Sequence, residues 1–164
     1  LEDPDLRLRT AGSIQAPARF GPNAIICNSM VSPEARVYGE VTRSVISPGV
    51  IVEEGAIVRD SVIQHRCIIR SGAIVDRCIL DKEVTVGNGA VVGEGNENIP
   101  NRERPDIVNA GITIVGKRVS VPAGLHVGRN VVIGPGVAEE LMEVGHLESG
   151  ASIHPTTMPL HLFV

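Results

Sequence analysis

The sequence predicts an all-β parallel solenoid, and three observations carry that prediction. Between Ser44 and Gly93 the chain repeats itself every seventeen residues, with Gly55, Gly72 and Gly89 in one column and Ala56, Ala73 and Ala90 in the next. Self-similarity at a fixed period marks a stack of units, each burying its apolar face only against its neighbours. Within each repeat, aliphatic residues step by six: Ile46, Val52, Val58, then Ile63, Ile69, Val75, then Leu80, Val86, Val92, with a step of five between lines. Six is a multiple of the strand period of two, so each hexad makes a short strand and a corner, its aliphatic always directed inward. Finally, the chain is 43% hydrophobic yet holds two Phe, one Tyr and no Trp, as a core of stacked aliphatics requires.

Taken in order, residues 1–20 carry Pro4 and Pro17, no hexad and no initiating Met, and are expected to be a linker from a missing N-terminal domain of a longer protein. Residues 21–137 form the solenoid. An imperfect coil runs through Ile25, Val31, Val37 and Val41, and its return at 39–44 is two residues shorter than its counterpart in the next coil. Three regular coils follow, with a second inward slot at Val50, Ala56, Val62, Cys67, Ala73, Ile79, Val84 and Ala90. Gly49, Gly55, Gly72, Gly89 and Gly95 stand just before that slot, where a tight corner calls for φ > 0. The polar stretch 96–109 breaks the repeat and is an extruded loop. A last coil passes through Val115, Val121, Val127 and Ile133, and 138–164 is a tail with a short helix at 138–144 and a final partial hexad at 149–153. About five coils at ~4.8 Å spacing give a column roughly 24 Å tall. The hexads resemble the hexapeptide-repeat left-handed parallel β-helix. The left hand comes from that resemblance alone, since crossovers between parallel strands are normally right-handed.

Composition narrows the function. A net charge of −4 with almost no aromatics argues against a nucleic-acid partner, and no apolar run approaches the ~18 residues of a membrane span. No signal peptide is recognisable, and a cytoplasmic location is expected. Cys27, Cys67 and Cys78 form no CxxC pair and read as reduced structural thiols. The stretch 87–93 mimics a phosphate-binding turn, but its glycines fall in the coil frame and no helix follows. None of the five histidines has ligand spacing or an accompanying acid in sequence, so no catalytic residue and no metal site is expected. The seventeen-residue register stacks Arg59 beside Asp76, Arg43 beside Asp60, Asp60 beside Arg77, Glu53 beside Arg70, and His65 beside Lys82. The four acid–base stacks need no explanation beyond solvated charge pairing.

The segments 39–50, 78–87 and 111–124, with the three-line repeat between them, resemble the C-terminal domain of glucose-1-phosphate adenylyltransferase, over residues 9–135. Related sugar-1-phosphate nucleotidyltransferases have similar tails. That resemblance implies a regulatory and oligomerisation domain, inactive alone, of an enzyme making ADP-glucose and pyrophosphate from ATP and glucose 1-phosphate. Magnesium and ATP then belong to the missing catalytic domain, with no cofactor in this segment. The implied partners are that domain, further copies of the chain in a homo-oligomer, and a small anionic effector. Thirteen arginines accompany only two lysines, Lys82 and Lys117. Both match positions at which the plant and cyanobacterial members bind activator, and Arg118 and Arg129 are candidates to add contacts to the anion. The alternatives are a hexapeptide acyltransferase using acetyl-CoA, which would want a histidine in its extruded loop, and a purely structural solenoid.

Overall fold

The computed structural model describes residues 15–137, 139–142 and 144–155; the expectations for 1–14 and 156–164 lie outside the described residues. Strands of two or three residues stack into three parallel sheets, the faces of a triangular column. The first face holds Arg19–Phe20, Arg36–Val37, Ile51–Val52, Ile68–Ile69, Thr85–Val86 and Ser120–Val121. The second holds Ile25–Cys27, Glu40–Thr42, Ile57–Arg59, Ile74–Asp76, Val91–Val92, His126–Val127 and His146–Leu147. The third holds Met30–Val31, Val45–Ile46, Val62–Ile63, Cys78–Leu80, Thr113–Val115, Val132–Ile133 and Ser152–Ile153. Six rungs on one face and seven on each of the others exceed the five coils expected from sequence. The surplus comes from the ends. Arg19–Phe20 already pairs with Arg36–Val37, inside the stretch read as linker, and two strands follow residue 137. Between those late strands and the sixth rung, a helix at Glu139–Met142 replaces the first-face strand, and Leu141 is buried in the core.

The seventeen-residue repeat is the pairing register itself: Ile51, Ile68 and Thr85 align, as do Ile57, Ile74 and Val91. All nine residues of the six-step column are completely buried, and their packing is the main source of stability. The five corner glycines expected at positive φ all have it. At Gly93 no other residue fits, because an added Cβ would lie 1.9 Å from the Asp76 carbonyl oxygen.

Two details of the frame are corrected. In the first coil Ile26, not Ile25, aligns with buried Val41; Ile25 points outward. On the third face the second inward slot is filled by Ser44, Ser61 and Cys78, whereas Val62 and Ile79 face out. The step of five explains the shift. Arg43, Asp60 and Arg77 turn the chain in a single left-handed residue (φ 45°, 48° and 49°), so the residue directly after each turn points inward. The buried hydroxyls satisfy themselves by stacking. Ser61 N–H donates to Ser44 Oγ (3.1 Å) and Cys78 N–H to Ser61 Oγ (3.0 Å), while Ser61 Oγ donates to the Arg59 carbonyl (2.6 Å). Burial raises the thiols of Cys67, to about 11, and of Cys78 still further, as expected for inert structural cysteines.

The loop 96–109 leaves the column but is stitched back to it. Buried Asn101 donates through Nδ2 to the carbonyls of Asn130 (3.0 Å) and Ala151 (3.1 Å). Buried Asn130 donates to the carbonyls of Glu97 (3.0 Å) and Ile99 (2.7 Å) and accepts from Gly111 N–H (2.7 Å).

Candidate effector-binding corner

The corner between the third and first faces collects three of the four cations singled out from sequence, Lys82, Lys117 and Arg118. Main-chain bonds fix its stacking: Arg66 N–H donates to the Pro48 carbonyl (3.1 Å), Glu83 N–H to His65 (3.0 Å), Arg118 N–H to Lys82 (3.0 Å) and Gly136 N–H to Lys117 (2.9 Å). His65, Lys82 and Lys117 therefore occupy successive rungs of one column, and Arg66, Glu83 and Arg118 the next. Those three adopt left-handed φ of 58°, 63° and 60°, in a column that uses glycine at Gly49 and Gly136. A side chain there costs ~1–2 kcal/mol relative to glycine, and the corner tolerates it three times in succession.

Glu83 is the acid at the centre of this corner. Arg66 Nη2 lies 2.8 Å from its Oε1, and that hydrogen bond, helped by the nearby charges of Lys117 and Arg118, holds its carboxyl below the usual range. Asp81 spends one oxygen on the Lys82 main-chain N–H (2.7 Å). Among the described residues no ion pair engages Lys82, Lys117 or Arg118. Lys82 and Arg118 are exposed and Lys117 is half-buried, so one face of solvent reaches all three. With rungs ~4.8 Å apart, two ammonium stems start close enough to contact one phosphate or carboxylate group together.

Arg129 does not join them. It lies at the corner between the second and third faces, 86% of its side chain buried, with Nη2 3.6 Å from Asp76 Oδ1 and Nη1 donating to the Gly111 carbonyl (3.3 Å). The expected ion stacks are present at this second corner: Arg43 grips Asp60 with two hydrogen bonds of 2.7 Å, and Arg59 lies 3.0 Å from Asp76. Arg77 pairs with Glu97 of the loop instead of Asp60. On the first face Arg70 bonds Glu53 at 2.8 Å.

The histidines are less isolated than their spacing implied. His126 and His146 are cross-strand neighbours with ring centroids 6.4 Å apart, and His154 Nε2 lies 2.8 Å from Glu103 of the loop. A coil of irregular length brings the first pair together and the loop 96–109 the second, so linear spacing holds no sign of either. His154 and Glu103 line a cavity with Arg104, Ile107, Val132 and Ser152, and the Nδ1 edge of the ring lies near Gly134. Among the described residues no group of three His, Cys, Asp or Glu could hold a metal, and no helix is long and apolar enough to cross a membrane.

Comparison with known proteins bears on this geometry. Residues 16–115 match the family model described as "GlmU-like, C-terminal hexapeptide". The chain is 36% identical over 153 residues to glucose-1-phosphate adenylyltransferase of Acetivibrio thermocellus, covering 93% of this chain and 36% of that relative. It is 44% identical over 156 residues to the enzyme of the same name from Thermomicrobium roseum, covering 94% and 36%. The chain thus spans a little over a third of the length of the curated relatives it matches. Among solved structures, a putative acetyltransferase from Desulfovibrio desulfuricans superposes with a TM-score of 0.54 at 12% identity, over 82% of this chain and 26% of that one. WeeI from Acinetobacter baumannii does so at 0.52 and 17%, over 70% and 50%. At such identities these two share the fold and nothing further follows from them. The register, the buried aliphatic column and the family match together place this chain in the GlmU-like C-terminal hexapeptide family, as a homologue of the C-terminal third of glucose-1-phosphate adenylyltransferases.

Proposed function

We propose that this chain is the regulatory and assembly segment of a cytoplasmic glucose-1-phosphate adenylyltransferase. The full protein forms ADP-glucose and pyrophosphate from ATP and glucose 1-phosphate for glycogen-type synthesis. In this reading the preceding polypeptide binds ATP and magnesium and performs the transfer. The present segment is inactive alone, coils with the left hand of the hexapeptide-repeat folds it resembles, and takes part in a homo-oligomer. Its regulatory site is the corner built by Lys82, Lys117 and Arg118, which takes a small metabolite bearing a phosphate or carboxylate. One observation carries the site: two ammonium-bearing residues stand on adjacent rungs, and no described residue ion-pairs with either. Like charges directly opposite one another are unfavourable. A bound anion relieves that repulsion.

The test is made in the full-length enzyme. Lys82→Glu and Lys117→Glu should each raise the half-activating concentration of the physiological effector at least about tenfold, a loss of ~1.4 kcal/mol of binding, with unmodulated turnover retained. The difference from wild type should shrink as salt is added, because exposed charge contacts are screened beyond ~8 Å at physiological ionic strength. Phosphorylated metabolites and inorganic phosphate are titrated in parallel. Unchanged midpoints in both variants would remove the corner from regulation, and absence of ADP-glucose synthesis would remove the enzymatic reading.

A further inference from the structure

A cavity of about 580 Å³ lies between the loop 96–109 and the last rungs of the third face. Its apolar wall is made by Ile107 and Val108 from the loop, with Ile114 and Val132 from the column. Glu103, Arg104, Ser152 and His154 make its polar wall. Small-molecule sites typically enclose ~300–1,000 Å³ and set a few converging polar groups in a mostly apolar lining. This cavity has that size and that chemistry.

The polar wall is held in place by the fold itself. Asn101 is completely buried, and its Nδ2 donates to the Ala151 carbonyl (3.1 Å) and to Ser152 Oγ (3.0 Å), just before His154 in the chain. Its Oδ1 accepts from the main-chain N–H groups of Glu103 and Arg104, each at 3.0 Å. The Arg104 carbonyl in turn accepts from Val108 N–H (2.9 Å), closing the turn that carries Ile107. One buried amide thus ties the loop side of the cavity to the column side. A ligand entering it has little left to order, and that lowers the cost of binding.

Charge selects the ligand. An ionised carboxylate only accepts hydrogen bonds, so Glu103 takes the Nε2–H of His154 (2.8 Å), and these two groups engage each other. Arg104 is left over, because among the described residues no ion pair engages it. Its guanidinium presents a fork of donors that matches a carboxylate or a phosphate. A cationic ligand would meet that charge unopposed.

We infer that this cavity is a second ligand site, for a small molecule with an apolar body and one anionic group. The body lies against Ile107, Ile114 and Val132, and the anion meets Arg104. None of Lys82, Lys117 and Arg118 lines it, so the inference goes beyond the regulatory reading and does not rest on it.

Two dyes of like shape test this on the full-length protein: anilinonaphthalenesulfonate, an apolar body with one anionic group, and uncharged phenylnaphthylamine. Fluorescence titration gives the affinity of each. Arg104→Ala should weaken the sulfonate at least about tenfold and leave the neutral dye unchanged. Val132→Trp, which fills the cavity, should abolish both, while Ser120→Trp on the first face should alter neither. Melting temperatures show whether each variant is folded, and Arg104→Ala, at an exposed loop position, decides alone if Val132→Trp is not. Equal effects of Arg104→Ala on the two dyes would overturn the inference. Undiminished binding to folded Val132→Trp would overturn it by placing the dyes elsewhere. No binding to the wild-type protein would do so by showing that another part of the chain fills the cavity.

Discussion

Two corners of the same column treat charge in opposite ways. Both turn the chain through charged residues in left-handed conformation: Arg43, Asp60 and Arg77 at one, Arg66, Glu83 and Arg118 at the other. At the first, signs alternate along the stack and Arg43, Arg59, Arg77 and Arg129 each reach a carboxylate. At the second, Glu83 engages Arg66, while Lys82, Lys117 and Arg118 have no ion-pair partner among the described residues. Backbone strain is common to both corners and so marks neither as functional. What separates them is whether the repeat supplies the counter-charge. A corner that neutralises itself stabilises the column; one that leaves cations stacked is, in the function proposed above, where an external anion binds.

The comparison presumes that both corners hang on one interior, and the largest expected effect tests that. Ile69→Asp, which puts a carboxylate into the fully buried column, should unfold or aggregate the domain. Arg70→Ala, one residue away on the outside, should cost well under ~1 kcal/mol. Equal shifts in melting temperature would refute the inward–outward frame on which both corners depend. A smaller but still large effect is expected at Asn130, where the neutral corner replaces charge by a buried amide. Asn130→Ala strands the Gly111 N–H and the carbonyls of Glu97 and Ile99, at roughly 1–3 kcal/mol for each buried group left unpaired. Thermal melting should show a loss of at least about 3 kcal/mol and faster proteolysis within 96–109. A loop released with no loss of stability would mean that these bonds hold the loop and not the column.

Periodicity made the interior and the neutral corner legible in the sequence, because a fixed register turns residues seventeen apart into neighbours. It failed where the period failed. Val62 and Ile79 were assigned inward since a six-residue frame was carried across a five-residue step; Ser44, Ser61 and Cys78, polar or small, gave no hydrophobic signal for the slot they fill. The same frame counts Val62 and Ile79, which lie on the outer side of the third face, as core. Asn101 falls in the stretch 96–109 read as a polar loop, and its buried bond to the Asn130 carbonyl spans 29 residues that no local pattern connects. Lys82 and Lys117 were picked out by rarity and by resemblance. Their direct stacking adds a reason independent of both, and it separates them from Arg129, which the sequence grouped with them.

If the corners differ as described, neutral substitutions should have opposite signs. Arg43→Ala removes a paired charge and should lower the melting temperature slightly; Lys117→Ala relieves unpaired repulsion and should leave it unchanged or raise it. Millimolar inorganic phosphate at constant ionic strength should stabilise the wild-type protein and Arg43→Ala alike, but not Lys117→Ala. Stabilisation that survives in Lys117→Ala would place the anion elsewhere on the column.

The smallest effect is also the most local. Hydrogen bonding from Arg43 holds Asp60 below its ordinary 3.8, and hydrogen bonding from Arg66 holds Glu83 below its ordinary 4.5. Each depressed carboxylate contributes stability that is fully present above its unfolded value and is lost as pH falls through the folded one. Acid destabilisation should therefore begin below 4.5 with Glu83 and continue below 3.8 with Asp60. Only Glu83 also feels Lys117 and Arg118, whereas Asp60 feels Arg77 and Arg59. Carboxyl titration by NMR should thus show Glu83 moving toward its ordinary value in Lys117→Ala while Asp60 stays where it was. Movement of both carboxyls together would mean that the column's charge acts as one smeared field. Movement of neither would mean that Lys117 points away from the corner, leaving Lys82 and Arg118 as its only cations able to meet an anion.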